Sequence, residues 1–505
     1  MKKINLWLLA GCTSLGANAA EVRFNACDHS LNGTDFYGAE CAALAVNTQQ
    51  SEHITTLNVL RVRALSGAAA DPLIVITGGP GTAAVSLARQ YLGFFTEVQK
   101  TRDIVFIDQR GTGKSEPFNC PQTSALDSTQ AAEQLIAQTQ AALKYCAHTQ
   151  ANLNTISTSQ AAWDIEQVRQ ALGYAQLNLW GSSYGTRVAQ EYQRLFPATS
   201  RTVIIDGVAP AIIALPHYAE QDAGHALGAL FSACAAQPAC HTAFGDLPQR
   251  WQQLMLDLQK NPPTQALQHP RTQVINTMEI SAALVANWVR FALYNRELSA
   301  LLPLAITQAS QGDFQPLANL AQTASDSVQD SMSQGMHAAI LCGEDSHAPS
   351  LLHPKSGHEV VMPFASLNDL RPVCNEMPAP LLPPEPLFEP IKSAVPSLVL
   401  SGQFDPVTPA FWGDWASQQL SNSQHWVVEG GHHGVSGLGC MPKLLADFIA
   451  RASFNGLNTD CLKTLKATAF FVDNAGPALS QPIAENQLEA QNSPGLISSP
   501  TQDAP

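Results

Sequence analysis

Charge is scarce, and positive charge scarcer: 13% of the 505 residues are charged, with 27 Lys and Arg against 41 Asp and Glu, for a net charge of -14. A surface that grips phosphates needs clustered Lys and Arg, and none occurs, which argues against nucleic acid or an anionic membrane as the main partner. The 11 cysteines contain no C-x-x-C, so the common zinc and redox-dithiol spacings are missing. The adjacent pair His432-His433 is a weak metal site, since neighbouring residues seldom share one ion, and no metal or other cofactor is expected. Gly113-Lys114-Ser115 does not complete a phosphate loop, because Asp108 stands where G-x-x-x-x-G-K-S requires its first glycine.

What is present is apolar. A hydrophobic fraction of 45% suffices for one large or two intimate domains. The N-terminus places Met1-Lys2-Lys3 before an apolar segment, Ile4 to Leu15, and then Ala17-Asn18-Ala19, which is the order of a secretory signal. Leu9-Ala10-Gly11-Cys12 also fits a lipoprotein box with acylation at Cys12. Cleavage there leaves an apolar core of only about seven residues, so cleavage after Ala19 is favoured. Either route exports the protein to the periplasm or beyond, with no transmembrane helix once the signal is removed. Setting Cys12 aside leaves ten cysteines, an even set that suits disulfides. Proximity suggests sequential pairing: Cys27–Cys41, Cys120–Cys146, Cys234–Cys240, Cys342–Cys374 and Cys440–Cys461.

Periodicity gives an α/β chain with a mainly parallel sheet. Residues 55–62 alternate as a strand, while Leu73–Thr77, Ile104–Ile107, Thr202–Asp206, Ser397–Leu400 and His425–Val428 are short apolar runs of the buried kind. Residues 128–150 and Thr158–Leu172 are helical, and a helix between strands implies a parallel crossover. From 211 to 390 the strand signal fades into Ala-, Leu- and Gln-rich helical stretches (226–236, 251–259, 280–294), ending in a proline-dense linker at 378–390. The expected organisation is a signal at 1–19, core at 20–210, an inserted helical cap at 211–390, core again at 391–472, and a disordered tail at 473–505.

The chemistry centres on Leu177–Val188, where an apolar run ends in Gly181-Ser182-Ser183-Tyr184-Gly185 and passes directly into a helical pattern. G-x-S-x-G between strand and helix describes a nucleophile elbow with Ser183 as its serine and Ser182 as a bystander. An acid and a histidine should follow in that order. Asp405, just past a strand, is preferred over Asp206, which reads as a turn aspartate ahead of Gly207. Of the adjacent His432 and His433, only one can enter the site. Gly78-Gly79-Pro80-Gly81 is a glycine-rich loop whose N–H groups can approach a ligand closely.

Taken in order, G-G-P-G, Asp108-Gln109-Arg110-Gly111-Thr112-Gly113-Lys114-Ser115 and G-S-S-Y-G, each after a strand, resemble the proline iminopeptidase and tripeptidyl aminopeptidase family of α/β-hydrolases. Thr77 departs from the His that proline iminopeptidases carry before G-G-P-G and is nearer the tripeptidyl branch. The resemblance implies the α/β-hydrolase fold and a serine exopeptidase acting on a peptide with a free N-terminus. Ser401-Gly402-Gln403-Phe404-Asp405-Pro406-Val407-Thr408-Pro409 resembles the family's acid loop, and alignment with its E-G-A-G-H segment puts the catalytic histidine at His433. The resemblance also implies oxyanion donors at the Tyr184 and Gly79 N–H groups, with Asp108 and Arg110 bracing the loop. Ala339-Ile340-Leu341-Cys342-Gly343-Glu344 resembles a segment near the end of the family's cap. Glu344, with Asp345 as second choice, is therefore a candidate for the substrate ammonium; the alternative is a turn braced by Cys342. An esterase with the same triad and a non-catalytic binding domain are the rival functions.

Overall fold

The computed structural model describes residues 22–27, 38–49, 51–119, 141, 144–145, 153–325, 332–349, 360–363, 374 and 385–478. The expected signal with Cys12, the Cys120–Cys146 pair, almost all of the helix at 128–150 and most of the proline-dense linker lie outside the described residues.

A nine-stranded sheet organises the fold, in the order β1-β2-β3-β5-β4-β6-β7-β10-β11. Its strands are β1 (Asn25–Ala26), β2 (Ala39–Asn47), β3 (Ile54–Val62), β4 (Leu73–Ile76), β5 (Ile104–Ile107), β6 (Leu177–Ser182), β7 (Ser200–Asp206), β10 (Ser397–Gly402) and β11 (Ser423–Val428). From β5 to β11 every neighbouring pair is parallel, whereas β1, β2 and β3 join antiparallel at one edge. Strand β2 escapes the sequence patterning because its inward positions, Ala42, Leu44 and Val46, alternate with alanines that give little β signal.

The central strands are buried on both faces, which explains their continuous apolar runs. Ile74, Leu179, Ile205 and Val399 point into one core shared with Ile165 and Val168 of the helix Thr158–Ala171. Leu73, Val75, Ile204 and Leu400 point into the other, against Phe95, Val98, Leu445 and Phe448. The crossover helix starts at Ser157, whose hydroxyl accepts the Gln160 N–H.

Residues 219–325 carry helices Ala219–Ala236, Leu247–Lys260, Ala282–Leu293, Leu302–Ser310 and Gln315–Ser325 around an apolar core of their own, including Leu227, Trp251, Val289 and Leu317. This stretch is not wholly helical. β8 (Thr264–Gln268) and β9 (Ile275–Glu279) pair as a hairpin that buries only Leu267 and Met278, too few inward residues for the alternation to register. A second hairpin, β12 (Phe471–Asp473) with β13 (Gly476–Pro477), runs past the tail boundary expected at 473. Four of the five proposed disulfides form among the described residues: Cys27–Cys41, Cys234–Cys240, Cys342–Cys374 and Cys440–Cys461. No helix among the described residues is long and apolar enough to cross a membrane.

Candidate active site

Parallel strands all end at the same edge of a sheet, so loops leaving neighbouring strands share one crevice. Here β6, β7, β10 and β11 are consecutive neighbours, with Ser182 opposite Asp206, Asp206 opposite Leu400, and Gly402 opposite Val428. Ser183, Asp405 and His433 each follow one of these ends.

Ser183 connects β6 to the elbow helix Tyr184–Leu195 at φ 55° and ψ -126°, a region side-chain-bearing residues seldom occupy and which costs about 1–3 kcal/mol. The turn persists because its surroundings leave no alternative. A Cβ on Gly185 would stand 2.2 Å from the Ile76 carbonyl oxygen, and one on Gly78 would stand 2.6 Å from Ser183 Cβ. The Ser183 N–H donates to Asp206 O at 3.0 Å. Tyr184 is the first residue of the helix, where an N–H lacks an intrahelical acceptor, and Gly79 follows the Gly78 that abuts Ser183. Tyr184 and Gly78 thus both adjoin the serine.

Asp405 is fully buried. It accepts the Val407 and Thr408 N–H groups at 2.9 and 2.8 Å and the Thr408 hydroxyl at 2.7 Å, while His433 Nδ1 lies 3.0 and 2.9 Å from its two oxygens. Burial opposes ionisation of this carboxyl, but the His433 charge and these donors outweigh it and hold Asp405 below the usual carboxylate range. For His433, burial opposes the cation and the Asp405 carboxylate more than offsets it, raising the imidazole above its ordinary value. With Nδ1 given to Asp405, Nε2 is the nitrogen that can accept a proton. Tyr294 packs edge-on against the ring, with centroids 5.2 Å apart.

His432 points the opposite way. Its Nδ1 lies 2.7 Å from Leu293 O and its Nε2 3.0 Å from Ser299 Oγ, so it joins the site's edge to the helical stretch. Asp206, considered as an acid, instead takes the Val435 and Ser436 N–H groups and the Ser436 hydroxyl, the last at 2.6 Å. It anchors the loop just after His433. That role had no sequence signal, since only the sheet brings residues 206 and 436 together. Thr408, by contrast, already stood within the D-x-x-T-P stretch.

Asp108 accepts from Asn58 Nδ2 and from the Val85 and Lys114 N–H groups, and Arg110 forms a buried two-bond pair with Asp164; both brace loops. Glu344 and Asp345 differ from expectation. Both are buried, Glu344 receiving the Thr158 N–H and hydroxyl at 2.6 Å each. Arg187 of the elbow helix pairs with Glu344 at 3.3 Å and with Asp345 at 2.9 Å, and the Leu215 N–H also donates to Asp345. Neither carboxylate is open to a substrate ammonium, because internal donors already occupy both.

Matches to known proteins are partial. The chain is 32% identical to YuaR of Escherichia coli over 140 residues, covering 27% of this chain and 28% of that protein. It is 27% identical to serine protease Hip1 of Mycobacterium tuberculosis over 190 residues, 34% and 36% of the two chains. It is 30% identical to tripeptidyl aminopeptidase of Streptomyces lividans over 151 residues, 27% and 28% of the two chains. The matched stretches thus span about a third of these relatives or less. Residues 71–438 match the family described as the alpha/beta hydrolase fold, more than half of the sequence, and the chain belongs to that family.

Proposed function

We propose that this hydrolase is an exported serine aminopeptidase that cleaves peptides from their free amino end. The observation that carries the reading is the Asp405–His433 pair, held at the same sheet edge as the strained Ser183. In this mechanism Ser183 Oγ attacks the scissile carbonyl as His433 Nε2 takes its proton. The Tyr184 and Gly79 N–H groups receive the tetrahedral oxyanion. His433 returns the proton to the leaving amine, and water, activated by the same imidazole, releases the acyl group from Ser183. Similarity to proteins named serine protease and tripeptidyl aminopeptidase supports the peptidase choice, and four disulfides among the described residues support export.

The test combines fluorophosphonate labelling with a substrate panel of free-amine peptides, N-blocked peptides and nitrophenyl acyl esters. Labelling confined to Ser183, lost in Ser183→Ala and kept in Ser182→Ala, with turnover of free-amine peptides only, is expected. Turnover of the esters alone overturns the peptidase assignment in favour of a carboxylesterase. Absence of both labelling and turnover overturns the serine-hydrolase reading.

A further inference from the structure

The helix Gln334–Gly343 is joined at one end to the loop carrying Gly79 and at the other to the helix that begins at Tyr184. At its start the Ser333 N–H donates to Gly81 O at 2.8 Å, and Met332 bridges to Thr82. The approach is so close that a Cβ on Gly81 would stand 2.5 Å from the Ser333 carbonyl oxygen. One turn on, His337 Nδ1 lies 3.0 Å from Pro80 O. At the far end Glu344 holds Thr158, whose Oγ1 is 3.0 Å from the Tyr184 hydroxyl, and Arg187 ties Glu344 and Asp345 to the elbow helix.

A carbonyl only accepts, so this contact assigns the proton of His337 to Nδ1 and leaves Nε2 as the lone-pair nitrogen. Burial holds the ring below its ordinary pKa, which keeps it neutral at pH 7. The Pro80 carbonyl belongs to the loop between Gly79 and Gly81, and His337 is the side chain that holds it.

We propose that His337 is a positioning residue for acyl transfer: its Nδ1–H fixes the Pro80 carbonyl within the turn that the Thr82 N–H closes onto Gly78 O at 3.3 Å, and so steadies the Gly78–Gly79 peptide whose N–H faces the oxyanion. The same helix steadies the second donor through Glu344, Thr158 and Tyr184. This inference rests on the serine-hydrolase reading above.

Two amide variants separate it from a general packing role, because an Asn nitrogen mimics Nδ1 whereas a Gln nitrogen mimics Nε2. On a substrate that the native enzyme turns over, His337→Gln should lose about 10- to 100-fold in kcat with KM within about twofold, since small misplacements of oxyanion donors carry losses of that order. His337→Asn should stay within about threefold of native kcat. Fluorophosphonate labelling rates at Ser183 should follow the same order, with melting temperatures of the two variants alike. Equal kcat in the two variants, whether native or reduced, overturns the proposal. Failure of the native protein itself to label at Ser183 would instead remove the serine-hydrolase reading on which it rests.

Discussion

Asp206 and Ser436 are 230 residues apart in sequence, yet the Asp206 carboxylate accepts the Ser436 N–H at 2.8 Å and its hydroxyl at 2.6 Å. The backbone carbonyl of the same aspartate takes the Ser183 N–H. One residue at the end of β7 therefore holds both the elbow and the loop that follows His433. Asp206→Asn presents an N–H donor to other donors, and leaving buried N–H groups unmatched should cost about 2–4 kcal/mol of stability. Urea denaturation checks this, and kcat should fall by about tenfold as the histidine loop relaxes. A variant as stable as the native protein would show that Asp206 does not anchor that loop.

The His433 pKa is raised, so the acid limb of kcat/KM should lie above the ordinary imidazole value of about 6.5. The base must be neutral, and activity is lost as pH falls through that raised value. Asp405→Asn removes the carboxylate responsible, so the limb should move to lower pH while kcat drops on the order of 10⁴-fold. The lowered Asp405 pKa works on stability in the acid range: its contribution is present above about 3.9 and disappears as pH falls through the folded-state value. A pH–rate profile of Asp405→Asn that superimposes on the native one would contradict the pairing.

Glu344→Gln should cost about 2–4 kcal/mol of stability, because it weakens a buried ion pair with Arg187 and the acceptor set for Thr158. Its activity losses should be equal on free-amine peptides and uncharged esters. A rise in KM limited to free-amine substrates would restore the amine-binding role that the buried geometry argues against.

Reducing agent should lower the melting temperature, since each disulfide contributes ~2–4 kcal/mol. Loop-closure entropy also ranks the bridges. Cys342–Cys374, with a sequence separation of 32, should contribute about 1.5 kcal/mol more than Cys234–Cys240, with a separation of 6. Paired Cys→Ser variants compared by calorimetry give the ranking, and the reverse order would refute the entropic account.

The sequence by itself determined whatever depends on neighbours along the chain. Short apolar runs marked β4 to β7 and β10, because strands buried on both faces carry few polar positions to dilute the pattern. G-x-S-x-G placed the elbow, because the strained turn leaves no room for a side chain at Gly185. Strand β2 was hidden because alanines alternate with its inward Ala42, Leu44 and Val46, and the β8–β9 hairpin because it buries only Leu267 and Met278.

Tertiary structure alone decided the direction of side chains whose neighbours in space are distant in sequence. His432 and His433 are chemically identical and adjacent; the family resemblance pointed to His433, but the opposite directions of the two rings come from the packing of Leu293 and Ser299 on one side and Asp405 on the other. Asp206, read as a turn aspartate, and Glu344, a candidate for the substrate ammonium, are both anchors for the same reason. A carboxylate's role is set by the donors that reach it, and those donors come from residues 435, 436, 158 and 187, which no local pattern brings together.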